Sequence, residues 1–321
     1  MKVGMGVVLL CMAALTGCGD DGSPPDRDSG SYDPTNIVVI GDSYSSGNGA
    51  GNYSDDRREC LRSRDNWGEI YRDDFSSRYG AKLRNEACSG AVLRDLTEPK
   101  GSLPPQWDAV DGETDLVLMT IGGNDVGFKE IAKNCLVFAK ASCERLIDEA
   151  RRGIPSLEGE LTALLAKLRD RLRPDARVVL VSYPFLVGQK ALQGCSRFSR
   201  ARGYEIAANV RQLGVLGDRA QVAAVNAANE GPGARTFYLG GVKTKFKGHE
   251  PAPCLTKFSN ESWLHDPGPR DIVDLIEYYH FNPRGHRAVA DLLSEQGDLM
   301  EREPPRYRLS PRNPGVVLPQ G

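Results

Sequence analysis

The chain has 321 residues, of which 40% are hydrophobic and 26% charged, and a formal net charge of −2. Such a chain can bury a sizeable core in one large domain or two small ones. The near-neutral balance, with no long basic run, excludes a protein built around nucleic acid, because neutralising phosphates needs clustered Lys and Arg.

In chain order, Met1-Lys2 and the apolar "VGMGVVLLCMAALTG" are too short for a permanent span and read as an export signal over residues 1–18. The stretch ends in "LTGC", Leu15 to Cys18, which is similar to a bacterial lipobox. In that reading Cys18 is lipidated, becomes the mature N-terminus and anchors the chain to a bacterial membrane. Each buried CH₂ of the lipid adds about 0.8 kcal/mol, so stable anchoring takes more than one chain. The plainer alternative is a cleaved secretory signal, and both mean export. Residues 19–34, "GDDGSPPDRDSGSYDP", have almost nothing to bury and read as a flexible tether.

Next come alternating strands and helices. Asn36–Ile40 reads as a strand, Trp67–Tyr79 as a helix and Ala81–Glu86 as a second strand. Asp115–Ile121, "DLVLMTI", is a continuous apolar run of the kind found in buried parallel strands. Leu157, Leu161, Leu164, Leu165, Leu168 and Leu172 recur at helical spacing, which predicts an amphipathic helix over Ser156–Arg173 with Ser156 as its cap. "ARVVLVS", Ala176–Ser182, is another buried strand. A long helical stretch follows from about Arg202 to Asn229, then a strand at Arg235–Leu239 and a final helix at Gly285–Ser294. The main domain spans 35–302, and the Pro-rich tail, 303–321, is expected to be irregular.

This alternation predicts an α/β protein with a doubly wound parallel sheet. Sites in such sheets form outside the carboxyl ends of the strands. The loops after Ile40, Ile121 and Ser182 are therefore the places to search.

Export also governs the cysteines. Cys11 and Cys18 belong to the signal, leaving Cys60, Cys88, Cys135, Cys143, Cys195 and Cys254. An even number in an oxidising compartment points to three disulfides, for which 15 connectivities exist. Pairing of sequence neighbours, 60–88, 135–143 and 195–254, is the first expectation. There is no C-x-x-C and no Cys/His cluster with zinc spacing, so no metal is expected.

Ser43 lies in "NIVVIGDSYSSGNGAG" where the strand breaks. Neither the phosphate-loop nor the dinucleotide pattern fits, so no cofactor is expected. The G-x-S-x-G elbow lacks its last Gly. On this segment alone Ser43 reads equally as a helix cap. Asn124 in "LMTIGGNDVGF" follows a buried strand; taken alone it is a turn Asn, but beside Ser43 it can donate its amide to an oxyanion. Gly90 in "NEACSGAV" lets its backbone N–H approach a ligand, or simply makes a tight turn. Of the four His, His280 in "EYYHFNPRGHRAVADLL" sits in a loop that can point into a cleft. His286, six residues on, starts a helix and reads as a capping or packing residue; His249 and His265 lie in a Gly/Pro-rich region and compete weakly.

Taken together, "GDSYSSG", "ACSGA", "GGND" and "HFNPRGH" resemble the four ordered blocks of the SGNH, or GDSL-like, hydrolases, across roughly residues 36–295. The six Cys and "GHEPAPC" near Cys254 are similar to the exported branch with three disulfides, which favours the sequence-neighbour pairing. The resemblance implies a three-layer α/β/α sandwich with a flavodoxin-like parallel sheet. It implies Ser43 as nucleophile, His280 as base, and Ser43, Gly90 and Asn124 as the oxyanion hole. The substrate would be a carboxylic ester (a lipid, a short acyl ester or an acetyl ester) and the protein a monomer. Two positions depart from the family. The acidic residue three before the His is Glu277 rather than Asp, and Phe281 stands where Pro usually follows. Glu277 is the expected third member of the triad, with Asp274 or a backbone carbonyl near the His as alternatives. Rival readings are a non-catalytic envelope or glycan-binding lipoprotein on the same fold, and an acyltransferase using the same residues.

Overall fold

The computed structural model describes residues 1, 32, 34–54, 59–75, 80–137, 142–188, 200–233, 235–251, 261–265, 276–297, 302–313 and 315–320. Cys18, Cys195, Cys254 and Asp274 lie outside the described residues, as do nearly all of residues 1–34.

Strand β1 (Asn36–Gly41) lies between β2 (Lys82–Asn85) and β3 (Leu116–Thr120); β4 (Arg177–Val181) and β5 (Arg235–Leu239) follow β3 outward. Every pairing is parallel and the order is β2-β1-β3-β4-β5. This is the flavodoxin-like order, which reverses direction between β1 and β3 and opens a crevice there. The strands are apolar because both faces are covered: all five residues of β3 and of β4 are buried. Helix α5 (Cys143–Arg171) packs on α6 (Arg200–Ala228), and α2 (Trp67–Phe75) on α8 (Pro283–Glu295), giving the expected three layers. Short helices α1 (Ser43–Ser46), α3 (Arg94–Thr97), α4 (Phe128–Ile131) and α7 (Val242–Lys245) occupy the connections.

Three local expectations give way. The leucine helix does not begin at Ser156. It starts at Cys143 and runs for 29 residues through Pro155. Ile147, Ala150 and Ile154 continue the buried stripe backwards, so packing outweighs the lost hydrogen bond at Pro155. Ser156 is therefore a mid-helix residue, its hydroxyl on the Glu160 carboxylate at 2.8 Å. The tail is not irregular: β6 (Arg306–Leu309) and β7 (Val317–Gln320) form an antiparallel hairpin. Asn226 of α6 holds it, donating to the Tyr307 carbonyl and accepting from the Tyr307 N–H, both at 2.9 Å. Tyr32, expected in the tether, belongs to the compact unit Tyr32–Gly321 and donates to the Asp115 carbonyl.

Two disulfides occur among the described residues, Cys60–Cys88 and Cys135–Cys143. The first secures the segment after β2, where the Ser89 N–H also donates to the Cys60 carbonyl at 2.9 Å. No helix among the described residues is long and apolar enough to cross a membrane.

Candidate active site

The site grows from the carboxyl edge of the sheet. Gly41 ends β1 with φ +118°, and a Cβ there would sit 2.1 Å from the Thr120 carbonyl oxygen, so β1 and β3 can close only around glycine. Gln106 fastens the same residue from both sides. Its amide oxygen accepts from the Gly41 N–H at 2.6 Å and its amide nitrogen donates to the Gly41 carbonyl at 3.0 Å.

Asp42 follows as the N-cap of α1, accepting from the Tyr44 N–H at 3.0 Å. Its carboxylate also accepts from the Thr120 hydroxyl at 2.7 Å and from the Tyr183 hydroxyl. Only 2% of Asp42 is exposed. Burial raises its pKa to about 6 despite these donors, with the Asp125 charge adding to the rise. Ser43 is then the first residue of α1, so its N–H belongs to the first-turn amides that lack an intrahelical acceptor. The cap is thus the residue before Ser43: Asp42 does the capping that the sequence offered to Ser43.

The Ser43 hydroxyl lies 2.7 Å from His280 Nε2, across 237 residues of chain. His280 is carried on an irregular segment pinned at several points. Asn282 caps α8 by accepting from the Arg284 and Gly285 N–H groups, and Pro283 takes the first helical position. Phe281, fully buried, packs edge-on against Tyr44 with ring centroids 4.8 Å apart. Where the resemblance expects a Pro after the His, this chain places a core plug beside His280. The Tyr44 hydroxyl donates to the Tyr279 carbonyl at 2.6 Å, and Asn48 donates to the Ile276 carbonyl at 3.0 Å.

Burial is the main cause that lowers the His280 pKa to about 4, followed by the charge of nearby His265. The backbone carbonyls of Glu277, Ile276 and Tyr278 oppose the fall. The ring is therefore neutral at neutral pH and able to take a proton on Nε2. Its Nδ1 is buried without a well-formed hydrogen bond.

Glu277, the expected third member of the triad, makes other contacts here. Its carboxylate accepts from the Tyr53 hydroxyl and stands 4.0 Å from His265 Nε2. Tyr53 in turn accepts from the Gly49 N–H at 3.0 Å, and His265 Nε2 lies 2.7 Å from the Gly49 carbonyl. The side chain thus braces the turn after α1, and what the residue presents to His280 is its backbone carbonyl. His286 is fully buried as a packing residue, its Nδ1 accepting from the Trp67 N–H at 3.3 Å.

Gly90 and Asn124 follow β2 and β3 and meet at the crevice. Asn124 donates one amide hydrogen to the Ala91 carbonyl at 2.9 Å, and Asp125 accepts from the Leu93 N–H at 3.0 Å. Gly90 has φ +75°, and a Cβ built there would have only the Lys100 ammonium within 4 Å, at 3.7 Å. Sequence reasoning missed Gln106, Thr120 and Tyr183. Tyr183 stands at one of the three strand ends singled out, just after Ser182, but nothing local marked it.

Residues 39–288 match the model of the GDSL-like lipase/acylhydrolase family. The chain belongs to this family. It is a carboxylic ester hydrolase. A lipase of Streptomyces rimosus is 34% identical over 234 residues, covering 72% of this chain and 76% of that protein. The crystal structure of an extracellular lipase from Streptomyces rimosus aligns with a TM-score of 0.65 at 27% identity, over 81% of this chain and 99% of the other. That of phospholipase A1 from Streptomyces albidoflavus NA297 aligns with a TM-score of 0.64 at 26% identity, over 82% and 99%.

Proposed function

We propose that the protein cleaves carboxylic esters, lipid esters foremost, through an acyl-enzyme on Ser43. The observation that carries this reading is the 2.7 Å contact between Ser43 Oγ and a neutral His280. Ser43 attacks the ester carbonyl while His280 Nε2 takes its proton. The N–H groups of Ser43 and Gly90 and the Asn124 amide receive the charge that develops on the carbonyl oxygen. His280 returns the proton to the departing alcohol, and water, activated by the same imidazole, releases the acid. The Glu277 carbonyl side of the 276–280 turn, rather than a carboxylate, keeps the ring in place. Lipid esters are put first because the lipase and phospholipase relatives span most of the same chain.

The test is labelling with a fluorophosphonate, followed by hydrolysis of p-nitrophenyl esters from acetate to palmitate and of a diacyl phospholipid. Ser43→Ala should abolish labelling, and Ser43→Ala and His280→Ala should each cost on the order of 10⁴-fold or more in kcat. Labelling that survives in Ser43→Ala would refute the assignment.

The same reading holds the chain outside the cytoplasm on a lipid at Cys18. Its support is the "LTGC" that closes the apolar start and the Gly/Pro/Asp tether behind it. Cells fed labelled palmitate should lipidate the wild type but not Cys18→Ala; equal incorporation would leave only secretion.

A further inference from the structure

Tyr183 follows β4 at the carboxyl edge and touches both halves of the site. Its hydroxyl donates to the Asp42 carboxylate and accepts from the Gly123 N–H at 3.2 Å. Asp42 immediately precedes Ser43, and Gly123 immediately precedes Asn124. The ring crowds position 123: a Cβ on Gly123 would lie 3.3 Å from the Tyr183 ring carbon bearing the hydroxyl, so the ring would have to shift by a few tenths of an ångström. The other ring face is met edge-on by Tyr44, with centroids 5.3 Å apart.

The backbone of Tyr183 is held as firmly as its side chain. Lys243 of α7 donates to the Tyr183 carbonyl at 2.7 Å while paired at 2.7 Å with Asp218 of α6. Both partners of that ion pair are almost completely buried. A fully desolvated ammonium beneath one carbonyl fixes where the tyrosine starts. The hydroxyl therefore acts as a rigid post rather than as a mobile side chain.

We infer that Tyr183 is a positioning residue that ties the nucleophile segment to the oxyanion segment, setting Ser43 and Asn124 at a fixed separation through one hydroxyl shared by Asp42 and the Gly123 amide. The inference rests on the Ser43 reading above. The post works only when Asp42 is ionised and accepts the hydroxyl proton. A protonated Asp42 loses an acceptor and loosens the cap of α1.

This gives the role a signature in pH. The groups facing Asp42 are the Tyr183 hydroxyl from the end of β4, the Thr120 hydroxyl from β3, Tyr44 from α1 and the Asp125 carboxylate after β3. Asp125, its own pKa raised to about 6 chiefly by burial, carries the further influence of Glu160 and Asp95. Burial holds the Asp42 pKa near 6, above that of His280 near 4. The acid limb of kcat should therefore follow Asp42. The Tyr183 hydroxyl lowers the Asp42 pKa, so removing it must raise the limb.

Tyr183→Phe keeps the ring and deletes only the hydroxyl. Its kcat should fall about tenfold or more with KM within about twofold, as expected for lost alignment. Its acid limb should move up by about half to one pH unit, the equivalent of one ordinary hydrogen bond. Asp42→Asn, the second variant, should lose the limb near 6 altogether. A Tyr183→Phe enzyme with kcat within twofold of wild type overturns the inference. So does a slower enzyme whose limb has not moved, which marks a merely structural tyrosine, and so does an Asp42→Asn profile identical to wild type. Ser43→Ala separates the two layers of argument: activity that survives it removes the nucleophile assignment as well, whereas an inactive Ser43→Ala beside an unaltered Tyr183→Phe removes the positioning role alone.

Discussion

The two halves of the site are held by different physics. Ser43 and Asn124 sit on residues that leave β1 and β3 directly, and the register that pairs Gly41 with Thr120 sets their spacing. Asp42 accepts from Thr120 and Tyr183 at neighbouring strand ends and from the Tyr44 N–H of its own helix, and Gln106 fastens Gly41 beside it. His280 arrives on a segment outside the sheet, pinned by a buried phenylalanine, a helix cap and two side chains that reach its backbone, Tyr44 and Asn48. On the strand side, side chains fix side chains and amides. On the base side, they fix the backbone, and the main-chain carbonyls of Glu277, Ile276 and Tyr278 oppose the fall in the His280 pKa. The comparison teaches that deletions of polar side chains should be costly on the strand side and mild on the base side, apart from His280 itself.

Asn124→Ala gives the largest contrast. It removes the proposed oxyanion donor and also the bond to the Ala91 carbonyl that ties the Asn124 loop to the Gly90 segment. Loss of one such donor elsewhere costs about 10²–10³ in kcat, so a fall in that range with little change in KM is expected here. Steady-state kinetics on a soluble p-nitrophenyl ester measures it. A fall smaller than about fivefold would mean the strand edge does not supply the oxyanion site and would erase the distinction between the halves.

How much of this was legible in the chain follows the same division. The β1 and β3 runs are buried on both faces, so their sequences are continuously apolar; Gly41 ends β1, and Ser43, Gly90 and Asn124 fall in the segments that follow β1, β2 and β3. Order along the chain was enough to bring them into one crevice. Tyr183 was invisible because its partners depend on β4 lying beside β3, which joins it to a residue 141 positions away. The start of α5 was misplaced because Pro155 and Ser156 look like a boundary, and only the packing of α5 on α6 overrides it. The hairpin of β6 and β7 was missed because its edge is completed by Asn226 of α6 rather than by a pattern of its own.

Glu277 gives the smallest effect and the most direct trial of the base side. Position three before the His suggested a triad carboxylate, yet here the Glu277 carboxylate accepts from Tyr53 while its backbone carbonyl acts on His280. The His280 N–H donates to the Glu277 carbonyl at 3.0 Å, closing the turn, while the carboxylate extends the other way to Tyr53. Replacing the carboxylate by an amide keeps an acceptor for the Tyr53 hydroxyl and leaves the turn closed. Glu277→Gln should therefore change kcat/KM by no more than about threefold, under 1 kcal/mol in the barrier. A carboxylate that oriented the ring would behave differently, since its amide replacement in a serine triad costs about 10⁴ in kcat by selecting the wrong tautomer. More than three orders of magnitude thus separate the outcomes, and the kinetics of a single substitution decide whether His280 is oriented by a side chain or by its own main chain.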